Sequence, residues 1–308
     1  MAIPYLSFIN SKELGSMMDV GGPTIHYIDD GSGPAMLFLH GLGFSLFTFR
    51  NNYPLFVKSM RIIAVDLPGC GYSRLPGHCG ASPQDMAKYL IRLLDELKVE
   101  RATICGAGEG GIVALEMAIR YPERVSALIL SSPGSLTRHF PKPIRQLMNP
   151  LLGEIRMTFL RIGDVYHFLK WCCFNEIAVD NYMTRQVYRP FENRLARQTL
   201  LRLIQGYDDD YVHENLKAVL CPALIVWGEI DAGRPCGMAD LYASQIPSSS
   251  VFLIRNCGML PHEEKGPEFN ERVVQFLLAV LPDLEPTAIN GLHEEIMDYA
   301  VYEDDEEY

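Results

Sequence analysis

The sequence predicts an α/β protein: a mostly parallel sheet with helices on both faces, interrupted by one helical insertion. Short apolar runs alternate with helix-length amphipathic segments, the rhythm of strands joined by helical crossovers. Between about residues 134 and 218 that rhythm stops and the text turns helical, aromatic and basic, as in MTFLRIGDVYHFLKWCCF. With 308 residues, 48% of them hydrophobic, the chain can bury one compact core and carry such an insertion.

Taken in order, strands are expected at 24–27, 35–39, 61–65, 102–105, 127–130, 223–227 and 251–254. A helix over 83–97 starts behind Ser82, whose hydroxyl suits an N-cap. A second, 111–121, stops before Pro122, because the residue ahead of a proline is disfavoured in helical conformation. A third, 268–281, follows the last strand. The resulting divisions are a core of 1–133 and 219–282, a helical cap of 134–218 and a C-terminal tail of 283–308. No internal repeat is visible.

The tail holds ten Asp and Glu residues and no Lys or Arg, so nearly all of the net charge of −11 resides there. The rest is close to neutral and has no basic face for nucleic acid. The tail reads either as a solubilising disordered end or as a peptide for a protein partner. No run approaches about 18 apolar residues, and the N-terminus MAIPYLSFINSKELGS lacks a basic segment followed by an apolar one. A soluble cytoplasmic protein without membrane association is therefore expected. The eight cysteines follow no C-x-x-C pattern and are expected to be free thiols, mostly small buried apolar residues. Adjacent Cys172 and Cys173 leave metal binding or redox sensing open.

Five motifs carry the chemistry. Phe38-Leu39-His40-Gly41-Leu42-Gly43 ends a strand in a His-Gly turn, and Asp66-Leu67-Pro68-Gly69-Cys70-Gly71-Tyr72-Ser73 follows the next strand. Cys105-Gly106-Ala107-Gly108-Glu109-Gly110-Gly111 sits where a strand turns sharply into a helix, its glycines permitting close backbone approach. Leu224-Ile225-Val226-Trp227-Gly228-Glu229-Ile230-Asp231 and Asn256-Cys257-Gly258-Met259-Leu260-Pro261-His262-Glu263-Glu264 complete the set. Their order and spacing resemble the α/β-hydrolase superfamily: its H-G turn, the D-x-P-G-x-G-x-S loop of epoxide hydrolases and meta-cleavage C–C hydrolases, the nucleophile elbow G-x-S-x-G-G, L-I-x-W-G-x-x-D and G-H-x-P-H-x-E. The resemblance covers about residues 24–282 and implies a mostly parallel eight-stranded sheet flanked by helices, with an inserted cap.

Residue by residue, it also implies a degenerate catalytic set. The nucleophile position is Gly108, which has no side chain to be acylated. The general-base position is Met259, whose thioether takes no proton near neutral pH. Asp231 keeps the acid position, and the N–H groups of Leu42 and Glu109 would form an oxyanion hole. Glycine and methionine, rather than alanine, read as natural divergence.

Glu109 is the most informative candidate. In the first turn of a helix its carboxylate is stabilised by the macrodipole. In relatives such as haloalkane dehalogenases the side chain here faces the pocket, where it would be a general base or a partner for a cationic ligand. A carboxylate there would repel a tetrahedral oxyanion. His40 and His262 are expected to be structural; Cys236 and Cys257 flank the acid and base positions in sequence, but a thiolate nucleophile would need a nearby base, and Cys257 stands where the family usually has a small packing residue. The pocket is expected between His40, Gly41, Gly108, Ser132, Met259 and His262 of the core and cap aromatics that include Trp171 and Tyr182. Phe159, Tyr166, Phe168, Phe174 and Tyr188 are further candidates, although aromatics at helical spacing also serve as packing. No metal-ligand or organic-cofactor motif is visible, and the glycines at 106–111 belong to the elbow rather than to a dinucleotide fingerprint.

Three functions are compatible with these residues. The first is a pseudo-hydrolase that binds a small, largely apolar molecule between core and cap. The second is a non-hydrolytic cyclase, lyase or isomerase, such as those of secondary metabolism, using Glu109 and the oxyanion-hole amides. The third is a hydrolase with a relocated nucleophile.

Overall fold

The structure, a computed structural model, describes residues 15–134, 142–282 and 284. Eight strands form one sheet: β1 (Ser16–Asp19), β2 (Thr24–Asp30), β3 (Ala35–Leu39), β4 (Arg61–Val65), β5 (Ala102–Ala107), β6 (Val125–Ser131), β7 (Ala223–Gly228) and β8 (Ser249–Ile254). They lie in the order β1-β2-β4-β3-β5-β6-β7-β8, with β2 antiparallel to β1 and β4 and every other pair parallel. β3, β5 and β7 are covered on both faces and read as continuous apolar runs rather than alternating ones. All seven expected strands are present. β1 was not foreseen, because a four-residue, largely exposed edge strand has no face whose burial would set a periodic pattern.

Between the strands lie α1 (Pro83–Glu96), α2 (Glu109–Arg120), α3 (Pro150–Thr158), α4 (Ile162–Cys172), α5 (Asn181–Tyr188), α6 (Arg194–Gln205) and α7 (Met238–Gln245), with α8 (Gly266–Val280) after the last strand, besides single turns. Ser82 caps α1 as expected: its Oγ accepts from Asp85 N–H at 3.2 Å, and Asp85 Oδ2 accepts from Ser82 N–H at 3.1 Å. α2 starts two residues earlier than the sequence suggested. The elbow itself opens the helix, with Gly111 N–H donating to Gly108 O at 2.9 Å.

α1 and α2 bury Leu90, Leu94, Ile112 and Leu115 against Leu37, Ile63, Ile104 and Leu128 on one face of the sheet. On the other face, Phe269 and Val273 of α8 meet Phe38, Phe49 and Phe56. Helices α3–α6 lie between β6 and β7 in sequence, where the strand rhythm was expected to stop. They seat on the core through Phe44, Phe47, Met259 and Leu260, which pack with Leu169, Met183 and Val187. The expected acidic tail lies outside the described residues except for Leu284, which is buried beside α8. Among the described residues no helix is long and apolar enough to cross a membrane.

Candidate functional site

β5 ends at Ala107 and α2 begins at Glu109, leaving Gly108 to make the whole turn at φ +53° and ψ −124°. Its N–H donates to Ser131 O at 3.0 Å, and its carbonyl accepts from Gly134 N–H at 2.7 Å. A Cβ on Gly108 would meet only Gly41 Cα, at 3.5 Å, which is ordinary contact. Packing therefore does not require glycine at 108, although its positive φ favours one. Gly110 differs: a Cβ there would stand 2.3 Å from Leu39 O and 2.5 Å from His40 O.

The Leu42 amide, one half of the implied oxyanion hole, is already engaged. It donates to Glu109 Oε2 at 3.0 Å, so the carboxylate of the half-buried Glu109 sits at the hydrogen-bonding position that an acyl oxygen would need. The elbow and the H-G turn are thus tied together by a side chain, and the polarity that the turn presents is reversed.

The conserved-looking text around this point turns out to be scaffold. His40 is buried; its Nε2 accepts from Leu67 N–H at 2.9 Å, which leaves Nδ1–H to donate to Gly41 O at 2.7 Å. Burial pushes its pKa down, against the opposing Asp66 charge. Asp66 accepts from Leu46 and Tyr72 N–H, each at 2.8 Å, and meets His26 Nδ1 at 2.8 Å, which pins the D-x-P-G loop.

His262 is likewise internal. Thr48 Oγ1 donates to Glu263 Oε1 at 2.6 Å, so it accepts from His262 Nε2–H at 3.0 Å, while Nδ1 accepts from Ser131 Oγ at 3.0 Å. Burial, with Arg50 nearby, pushes this imidazole down to about 3. The linkage follows directly. The unfolded imidazole takes a proton below about pH 6.5 that the folded one refuses, so its share of stability is full above that pH and drains as pH falls toward 3. At pH 5 the loss is expected to be about 2 kcal/mol. Urea midpoints at pH 7.5 and 5.0 check this, with His262→Gln expected to lose less between the two pH values than wild type.

Asp231 is also committed. Its side chain is fully buried, and Oδ1 accepts from Gly233 N–H at 2.8 Å and Arg234 N–H at 2.9 Å. Oδ2 faces Arg234 Nε at 3.7 Å, an ion-pair separation too long for a hydrogen bond. Burial pushes the carboxyl up, opposed first by the Arg234 charge. Arg234, itself buried, donates from Nη1 to Gly134 O at 2.6 Å. It thereby braces the residue whose N–H holds the Gly108 carbonyl. The sequence reading missed Arg234, although an Arg three residues after a carboxylate was a usable signal.

Met259 packs among Phe44, Leu169 and Val187, and its N–H donates to Cys172 O at 2.7 Å. Glu264 Oε2 accepts from Gly258 N–H at 2.8 Å and Phe174 N–H at 3.1 Å, adding a second tie to the helical segment. The 258–264 segment thus joins the core to the inserted helices. Cys172 and Cys173 are buried free thiols, the latter pushed up to about 12 by burial.

A cavity of about 710 Å³ lies between the core and α3–α6. Leu42, Gly43 and Glu109 form its core side; Met157, Val165, Phe168, Trp171, Phe191 and Leu200 supply much of the opposite wall. Of the expected pocket residues only Trp171 lines it, together with Leu42 and Glu109. His40, Gly41 and His262 are buried inside the core, and Gly108 lies behind Glu109 without reaching the cavity wall. Ser132 is fully buried at φ +42°, its Oγ without a hydrogen-bond partner among the described residues. Met259 is packing, and Tyr182 is 38% exposed with its ring edge-on to Phe47, away from the cavity. Of the further aromatics, Phe159 and Phe168 line the cavity; Tyr166, Phe174 and Tyr188 do not. Met259 is taken up in apolar packing, and the open space lies on the Glu109 side.

The family model described as alpha/beta hydrolase fold matches residues 34–266. The chain is 29% identical over 253 residues to the uncharacterized hydrolase YugF of Bacillus subtilis (strain 168), covering 82% of this chain and 92% of that protein. It is 26% identical over 277 residues to a 2-hydroxymuconate semialdehyde hydrolase of Pseudomonas sp. (strain CF600), covering 87% and 95%. A meta-cleavage product hydrolase mutant from Pseudomonas fluorescens IP01, solved with acetates, superposes with a TM-score of 0.77 at 22% identity, covering 87% of this chain and 99% of that one. The motifs, the strand order and this match agree: the chain belongs to the α/β-hydrolase fold family.

Proposed function

We propose that this protein binds a small, largely apolar molecule in the cavity between its core and a helical cap formed by residues 134–218, and does not hydrolyse it by a Ser-His-Asp mechanism. The observation that carries this reading is the Glu109 carboxylate on the Leu42 amide at 3.0 Å, at the edge of that cavity. An acyl oxygen entering there would meet a carboxylate instead of a free donor, and Gly108 offers no nucleophile to begin the reaction. Met259, at the base position, is spent on packing. Relatives named as hydrolases would then share the scaffold and differ in this chemistry.

A second reading keeps the same cavity and makes Glu109 an acid or base for a cyclisation, elimination or isomerisation that needs no covalent intermediate. It is favoured by the presence of the Glu109 side chain in the cavity wall. Native mass spectrometry of the protein purified without detergent tests the shared part. A bound small molecule that is absent from Leu200→Trp, which fills the cavity, is expected; refilling at 100 times its Kd should stabilise the wild type by about 2.7 kcal/mol. Ligand retention by Leu200→Trp would place binding elsewhere. Glu109→Gln separates the readings, since an enzyme of the second kind loses turnover of its substrate while a binding protein has none to lose.

A further inference from the structure

We propose that the cavity selects an amphiphilic ligand whose buried end is a protonated amine, seated on the Glu109 carboxylate with its apolar body along Phe168, Trp171 and Leu200. This deepens the cavity reading above and rests on it. Leu42 N–H holds Glu109 Oε2 at 3.0 Å and so fixes the plane of the carboxylate. Among the described residues, Oε1 has no hydrogen-bond donor and no Lys, Arg or His nitrogen lies within ion-pairing distance of either oxygen. One oxygen of this half-buried carboxylate is thus held by a backbone donor, and the other, beside apolar walls, is open to a cation or donor from a ligand.

Among the described residues, the rest of the cavity supplies no such partner at depth. Its other charged or titratable lining residues, Arg156, Asp164 and His167, all belong to the helical segment and are exposed. Phe168 and Trp171 stack with ring centroids 6.2 Å apart, offering π-faces that also favour an ammonium group. A carboxylate-bearing or acyl ligand is disfavoured by the same arrangement, because its oxygens would face Glu109. Where the hydrolase scaffold takes an oxyanion, this chain presents a cation site.

Octylamine, octanol and octanoate, which share one apolar body, separate charge from burial. Trp171 is one of only two tryptophans and lines the cavity, so its fluorescence reports occupancy in the full-length protein at pH 7.5. Octylamine is expected to bind at least tenfold more tightly than octanol, with octanoate weakest. Glu109→Gln should remove the tenfold preference without lowering the melting temperature by more than a few degrees, whereas Asp164→Asn should keep it. Octanoate binding as tightly as octylamine, or loss of the preference in Asp164→Asn instead of Glu109→Gln, would overturn the amine assignment while leaving an apolar cavity in place. Failure of all three to bind overturns the cavity reading itself, and this proposal with it.

Discussion

Replacing Arg234 with methionine is expected to destabilise the fold by about 3 to 5 kcal/mol, the cost of stranding a buried carboxylate without its counter-charge. Asp231 has no exposed side-chain surface, and Arg234 is the cation beside it at 3.7 Å. The guanidinium also braces Gly134 O at 2.6 Å, next to the elbow. Adding Asp231→Asn to Arg234→Met should recover a large part of the loss, because the remaining amide oxygen can still accept from the Gly233 and Arg234 N–H groups. Urea unfolding of the two single variants and the double variant measures this. A negligible cost for Arg234→Met would show that Asp231 is solvated or paired otherwise. On the proposed reading, Asp231 is committed to Arg234 and to backbone N–H groups rather than free to orient a base.

The two elbow glycines are expected to respond in opposite ways to a single methyl group. Gly110→Ala should cost more than about 3 kcal/mol or prevent folding, since the Cβ would press on two backbone carbonyls of the β3 end, at 2.3 and 2.5 Å, that have no rotamer by which to move away. Gly108→Ala meets only Gly41 Cα at 3.5 Å, so its cost is the backbone conformation, about 1–3 kcal/mol at φ +53°. Expression level and thermal midpoint distinguish them. Equal tolerance at both positions would mean that α2 does not press on β3 as closely as described. The contrast bears on the proposed function, because it separates a glycine required by close packing at 110 from one at 108 where a side chain would find space.

The sheet was legible because parallel strands buried on both faces are written as uninterrupted apolar runs, as in 35–39 and 223–227. The exposed edge strand β1 and the weakly amphipathic α7 leave no such trace. At the site, Glu109 and Leu42 were found because the elbow and the H-G turn are local motifs whose backbone geometry follows from their glycines. The cavity wall was not. Apart from Trp171 it is set by how α3–α6 settle on the core, and Tyr182 and Trp171, equally aromatic in sequence, end on different sides of that contact. Met259 and His262 were placed in the pocket by their position in a motif. Their neighbours, an apolar cluster for one and Thr48 with Ser131 for the other, come from distant segments that no spacing within the motif encodes.

Whether this scaffold holds a ligand without performing acyl transfer is decided by mixing stoichiometric protein with p-nitrophenyl butyrate under single-turnover conditions. p-Nitrophenolate is expected to appear at the rate seen without protein, with no burst and no acylated chain in the mass spectrum. A burst approaching one equivalent, accompanied by a butyryl adduct on a cavity residue, would contradict that expectation.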